Sequence, residues 1–145
     1  MKREKIICTV LALSMLSSFS AFAASGLTPS QIAKWEADCR KRSNPTAEYE
    51  GNGNKASNLV LVASDVWMEY SGAGSAGFGA GYTDVETKDG KPASHYTRVE
   101  VRRGNKILAK RTEKGVGYVY AETDDVDGAV NMEDVYAKAF WGENK

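Results

Sequence analysis

Cysteine, proline and histidine are scarce in this chain: two, three and one residue in 145. Each shortage removes a class of function. A single histidine, His95, cannot form an H-E-x-x-H motif or any other two-histidine metal pair. Two cysteines, Cys8 and Cys39, cannot build a cysteine zinc site. Long apolar runs are missing too. The most hydrophobic stretch, Ile6 to Leu16, falls short of the ~20 residues that a bilayer-spanning helix needs. Charge of one sign is not in excess, with 19 basic and 19 acidic residues, so the basic bias of a nucleic-acid binder is absent.

What is present begins with an export signal. Lys2, Arg3 and Lys5 precede the apolar run, and a small-residue segment then ends in Ala21-Phe22-Ala23. A charged head, a short apolar centre and an A-x-A terminus are the marks of a signal peptide. The expectation is removal of residues 1–23 and a secreted or periplasmic protein with no membrane span. The remaining 122 residues carry 16 basic and 18 acidic side chains, enough for one modest domain. Cys8 would leave with the signal. Cys39 then has no partner within the chain, so it is either paired between molecules or sheltered.

The remainder divides into residues 24–57, a helix and polar linker, and residues 58–145, a β-rich domain. Thr28 is a good N-cap, Pro29 suits the first helical position and Gln31 completes a capping box. Ile32, Trp35 and Cys39 recur at three- and four-residue spacing, and Ser43-Asn44-Pro45 stops the run. This predicts a short amphipathic helix with Cys39 on its buried stripe. Thr46 to Ser57 reads as a linker without regular structure. Leu59 to Tyr70 is rich in β-branched and aromatic residues, as a strand should be.

Further strands are expected at Tyr96 to Arg103, Lys106 to Thr112 and Val116 to Glu122. Gly104-Asn105 signals a hairpin between the first two. A three-residue loop, Arg103 to Asn105 with Asn105 left-handed, would place Val99, Val101, Ile107 and Ala109 on one face. The C-terminal segment fits two periods. Met132, Val135, Tyr136, Ala139 and Phe140 trace a helical face, whereas Val135, Ala137, Ala139 and Trp141 alternate as a strand does. Glu133, Asp134 and Lys138 tip local chemistry toward helix. The fold expected is mainly β: a small antiparallel sandwich-like domain preceded by the amphipathic helix.

Candidate sites are few. Gly72-Ala73-Gly74-Ser75-Ala76-Gly77 has G-x-G-x-x-G spacing, but a dinucleotide site also needs a helix opening from the glycines. Thr123 to Gly128 resembles part of a calcium loop, with Asp125, Asp127 and Asp134 at ligand positions three, five and twelve. A threonine stands in the first ligand position, and a solvated acidic turn fits the same residues. His95 reads as a strand-edge residue with no visible nucleophile or carboxylate to activate. No cofactor is implied.

The hairpin offers more. Arg98, Arg102, Lys106 and Lys110 would share its outer face under the three-residue loop, forming a basic stripe for an anionic envelope ligand. The same charges would equally serve as solvated surface that discourages edge pairing. Trp67, Tyr70, Phe78, Tyr82, Tyr118, Tyr120, Tyr136, Phe140 and Trp141 supply a β core, or in part an exposed recognition surface.

The stretch from Trp67 to Trp141 resembles the lactococcin 972 family of secreted bacteriocins. The likeness rests on the aromatic start at Trp67 to Tyr70, the glycine-rich segment, and Ser94-His95 leading into Val99 and Val101. Thr112, Gly115-Val116 and the aromatic end at Tyr136, Phe140 and Trp141 complete it. The resemblance implies an exported, disulfide-free β-sandwich with antimicrobial activity through a lipid-linked cell-wall precursor. The helix at Leu27 to Arg42 and the longer central segment depart from that family, which ends in a strand. The expectation is a non-enzymatic protein acting at the cell envelope, either bacteriocin-like or a periplasmic protein-binding or inhibitor module. Its partner would be an anionic envelope component or another envelope protein.

Overall fold

The computed structural model describes residues 26–51 and 58–144. The expected signal peptide, residues 1–23, lies outside them, as does most of the linker. Among the described residues no helix is long and apolar enough to cross a membrane.

Helix α1 spans Pro29–Arg42, and Thr28 caps it as the sequence predicts. The Gln31 backbone N–H donates to Thr28 Oγ1 at 3.2 Å, and Gln31 Oε1 accepts from the Thr28 N–H at 2.8 Å. Ile32, Trp35 and Cys39 are buried, and they belong to the same apolar core as the strands. Two residues expected in a structureless linker, Glu48–Tyr49, instead form strand β1, which pairs in parallel with the C-terminal strand.

Six further strands follow: β2 (Leu59–Tyr70), β3 (Gly77–Thr87), β4 (Ser94–Arg103), β5 (Lys106–Val116), β6 (Tyr118–Glu122) and β7 (Val135–Glu143). They form two sheets, a four-stranded one in the order β1-β7-β4-β5 and a three-stranded one in the order β2-β3-β6. Except for β1 with β7, every pairing is antiparallel. The mainly β, sandwich-like fold with an N-terminal helix is as expected. Val99, Val101, Val135, Ala137 and Ala139 of one sheet pack with Val66, Met68, Val85 and Ala121 of the other. β3 closes the gap between them with glycine. A Cβ on Gly79 would lie 2.8 Å from Val101 Cγ2 and 3.3 Å from Val99 Cγ1, so the sheets meet there because no side chain intervenes.

Four further expectations change. The C-terminal segment is strand rather than helix. β7 lies between β1 and β4, and most of its residues are buried on either face, so it lacks the clean alternation of a half-exposed strand. Val116 and Tyr118 do not share a strand: Gly117, at φ +73°, passes the chain from one sheet to the other.

The hairpin loop has two residues, with Arg103 opposite Lys106, and Gly104 rather than Asn105 takes the positive φ, +58°. Glycine at the first central position suits a tight hairpin turn. A bulge between Ile107 and Ala109 then restores Val101 opposite Ala109. Ile107 thereby faces outward beside Arg102 and is 43% exposed. His95, finally, is fully buried on β4, an interior strand of its sheet, and is not an edge residue.

Candidate functional site

The bulge decides where the predicted basic residues lie. Arg98, Arg102 and Lys110 stand on the outer face of the four-stranded sheet, Lys110 directly opposite Glu100. Lys106 pairs with Arg103 at the turn, out of phase with the other three. The stripe is therefore three residues rather than four, and two of those have partners. Glu100 is 2% exposed and holds both guanidiniums: Arg98 Nε approaches Oε1 at 2.9 Å, and Arg102 Nε donates to Oε2 at 2.6 Å. Arg98 also pairs with Glu50, and Lys138 pairs with Glu48. The Phe140 ring lies beneath these cations, 4.6 Å from Arg98, 5.7 Å from Arg102 and 5.1 Å from Lys138. Tyr96, at the edge of this cluster, donates to Glu50 at 2.9 Å, and burial together with that carboxylate pushes its phenol up to about 12.

The other sequence candidates separate. Gly72 to Gly77 forms the β2–β3 hairpin loop and leads into a strand, so the helix that a dinucleotide site requires is absent. Asp125 and Asp127 are exposed on the loop before a short 3-10 turn, and Asp134 is exposed after it, at φ +61°. Among the described residues no group of three His, Cys, Asp or Glu is placed to hold a metal ion. His95 joins the sheets. Its Nδ1 donates to the Ala93 carbonyl at 3.0 Å, and Nε2 lies 2.9 Å from the Thr83 hydroxyl, which contacts Thr97 Oγ1. Thr97 in turn donates to the Val119 carbonyl at 3.0 Å. All three side chains are fully buried, so the cluster presents no atom to solvent.

A different surface emerges on the outer face of the three-stranded sheet. The register aligns Ala63, Asp84 and Tyr118 in one row, Asp65, Tyr82 and Tyr120 in the next, and Trp67, Ala80 and Glu122 in a third. Glu69 and Phe78 follow. The rings of Tyr82 and Tyr118 stack at 4.9 Å, and those of Trp67 and Tyr120 lie 6.4 Å apart at a tilt. Tyr118 and Tyr120 are 57% and 41% exposed. Every charged residue at these outward positions of β2, β3 and β6 is acidic: Asp65, Glu69, Asp84, Glu86 and Glu122.

The carboxylates hold the rings. Tyr120 Oη donates to Glu122 Oε2 at 2.7 Å, and Trp67 Nε1 donates to Glu69 Oε2 at 3.3 Å. Partial burial, followed by the Glu122 contact, raises the Tyr120 phenol well above its ordinary value, and burial raises Tyr118 as well. Both rings remain neutral under ordinary conditions. Arg40 of α1 caps one rim, pairing with Asp65 at 2.7 Å.

This face was not singled out by sequence reasoning, though a signal existed. In each strand the acidic residues and, apart from the buried Tyr70 of β2, the aromatic ones fall on one parity: Asp65, Trp67 and Glu69; Phe78, Tyr82, Asp84 and Glu86; Tyr118, Tyr120 and Glu122. A buried sheet face rarely holds that many carboxylates, so that parity is expected to face water. No protein-family model, curated protein or solved structure matches the chain.

Proposed function

We propose that the protein is an exported, non-enzymatic binding module that engages another protein of the cell envelope through the outer face of its three-stranded sheet. Export rests on the leader-like pattern of residues 1–23. The observation that supports the binding surface is the exposure of Tyr118 and Tyr120 within a contiguous aromatic group whose charged neighbours on the same face of the three strands are all acidic. Exposed aromatics on a rigid sheet are typical anchors of recognition, because they bury large area at small entropic cost. An acidic surface also disfavours the anionic sugar and phosphate polymers of an envelope, which points to a protein partner.

The test is co-sedimentation with an isolated envelope fraction, comparing wild type with the Tyr118→Ser/Tyr120→Ser variant. Binding that is lost in the variant, and lost when the envelope is first treated with protease, is the expected result. Unchanged binding by the variant contradicts the reading.

One observation favours a second reading, bacteriocin-like binding of an anionic cell-wall precursor on the opposite sheet. Lys110 and Lys114 are exposed there and make no ion pair among the described residues, beside the Arg98 and Arg102 cluster. The chain also ends in a strand, as the resemblance to the lactococcin 972 family implies. Killing of sensitive cells by purified protein, weakened by salt and by Lys110→Ser/Lys114→Ser, would favour this reading over the first.

A further inference from the structure

We infer that the acidic aromatic face takes an extended basic segment of its partner, with lysine or arginine at every second position. The inference rests on the reading of this face as the binding surface and adds the chemistry of what it binds.

Charge is the first argument. Asp65, Glu69, Asp84 and Glu122 face outward from three adjacent strands without a lysine or arginine among those positions. Arg40 pairs with Asp65 at one rim. A cation arriving over this face meets carboxylates and the negative faces of aromatic rings together, and both attract it.

The molecule shows the same chemistry completed on its other side. There Phe140 and Glu100 form a ring-and-carboxylate platform, and the chain fills it with its own Arg98, Arg102 and Lys138. On the three-stranded sheet Arg40 reaches Asp65 at the rim, but among the described residues no lysine or arginine pairs with Glu69 or Glu122 or lies over the rings of Trp67, Tyr82, Tyr118 and Tyr120. Trp67, Tyr82, Tyr118 and Tyr120 correspond to Phe140, and Glu69 and Glu122 correspond to Glu100.

Spacing argues for an extended segment rather than a small cation. The Tyr82–Tyr118 pair and the Trp67–Tyr120 pair are successive, one two-residue step apart along the strands. That step is ~6.6–6.8 Å, the same repeat at which alternate side chains of an extended peptide fall on one side. A lysine over one ring pair places the residue two positions on over the next. The face is a sheet surface with no enclosing wall, so a lone ammonium ion would gain only one such contact.

The experiment uses the purified protein with four probes at low salt. These are an alternating Lys-Thr octapeptide, its Glu-Thr counterpart, a block isomer with four lysines followed by four threonines, and tetramethylammonium chloride. Binding is followed by tryptophan fluorescence, since Trp35 and Trp141 are buried and Trp67 is partly exposed. The alternating Lys-Thr peptide should bind most tightly and weaken with salt, the Glu-Thr peptide should not bind, and tetramethylammonium should bind far more weakly. Tyr118→Ser/Tyr120→Ser should lose about tenfold in affinity for the Lys-Thr peptide, the effect of two ring–cation contacts at a solvated surface. Glu69→Gln/Glu122→Gln, which keeps the rings, should also weaken it. Circular dichroism confirms that each variant folds.

Equal binding of the Lys-Thr and Glu-Thr peptides, or of wild type and the tyrosine variant, overturns the inference. So does equal binding of the block isomer. Concentration-dependent self-association of wild type that the tyrosine variant loses would make a second copy the occupant, and overturns it as well. If envelope binding requires Tyr118 and Tyr120 while no basic peptide binds, the face is the binding surface and the basic-segment inference alone fails.

Discussion

Trp67 and Tyr120 sit on strands that are not neighbours, yet their ring centroids are 6.4 Å apart across the strand between them. Ala80 lies beside Trp67 in the register, faces the same side and is fully buried. Two strand spacings separate β2 from β6, roughly 9–10 Å, so the rings can meet only by leaning over a small residue. Ala80→Leu should drive them apart. The expected cost is about 1–3 kcal/mol, as for other overpacked sites. A changed near-ultraviolet dichroism together with weaker binding of the basic peptide would show it; an unaltered spectrum would mean that the rings do not depend on Ala80.

Glu100 offers a test of the opposite sheet. Its carboxylate is buried and held by Arg98 and Arg102, so Glu100→Gln leaves two guanidiniums short of their counter-charge. The loss expected in urea denaturation is roughly 2–3 kcal/mol, because both arginines keep some contact with water. Arg111→Ala, which removes the solvent-exposed pair with Glu113, should cost much less. Equal losses in the two variants would show that the Glu100 cluster is ordinary surface.

Glu36 carries a pH signature. Burial raises its carboxyl above the ordinary 4.5, Glu69 pushes the same way, and the bond from the Tyr70 N–H opposes both. A carboxyl raised by folding favours its protonated form, so its contribution to stability is fully present below pH 4.5. It is lost as pH rises through the folded value. Glu36→Gln keeps an acceptor for Tyr70 and cannot ionise. The variant should therefore melt higher than wild type at pH 7, and the advantage should disappear near pH 4. A difference of the same size at both values would contradict this.

Cys39 is fully buried on the inner stripe of α1, and burial pushes its thiol up to about 12. The thiolate, which is the reactive form, is scarce at pH 8. Modification by a thiol reagent in the native protein should be slow and should accelerate to full reaction in denaturant. A disulfide-linked dimer on a non-reducing gel, or complete native labelling within seconds, would contradict this.

Much of the fold was legible because local and global preferences agree. The capping box of α1 and the stripe of Ile32, Trp35 and Cys39 were readable, as was the strand from Leu59 to Tyr70. Where reading failed, tertiary context decided. β7 is buried along most of its length, so strand alternation disappears and the spacing of Val135, Tyr136, Ala139 and Phe140 imitates a helix. The bulge beside Leu108 shifts Ile107 outward and takes Lys106 out of phase with Arg98 and Arg102, and no local signal announces it. The nine aromatics considered as a possible core divide between two environments: Phe140 and Trp141 are buried, while Tyr118 and Tyr120 are exposed. Only the carboxylates on the same parity distinguish the second group.

The binding surface proposed for this protein is the outer face of the three-stranded sheet. Chemical-shift mapping of the isotope-labelled protein against solubilised envelope proteins tests it most directly. The largest changes are expected on the Trp67 indole N–H and on the amides of Tyr82, Tyr118 and Tyr120, with Lys110 and Lys114 unmoved. Changes centred on Lys110, Lys114 and Arg98, with the Trp67 indole unmoved, would contradict it.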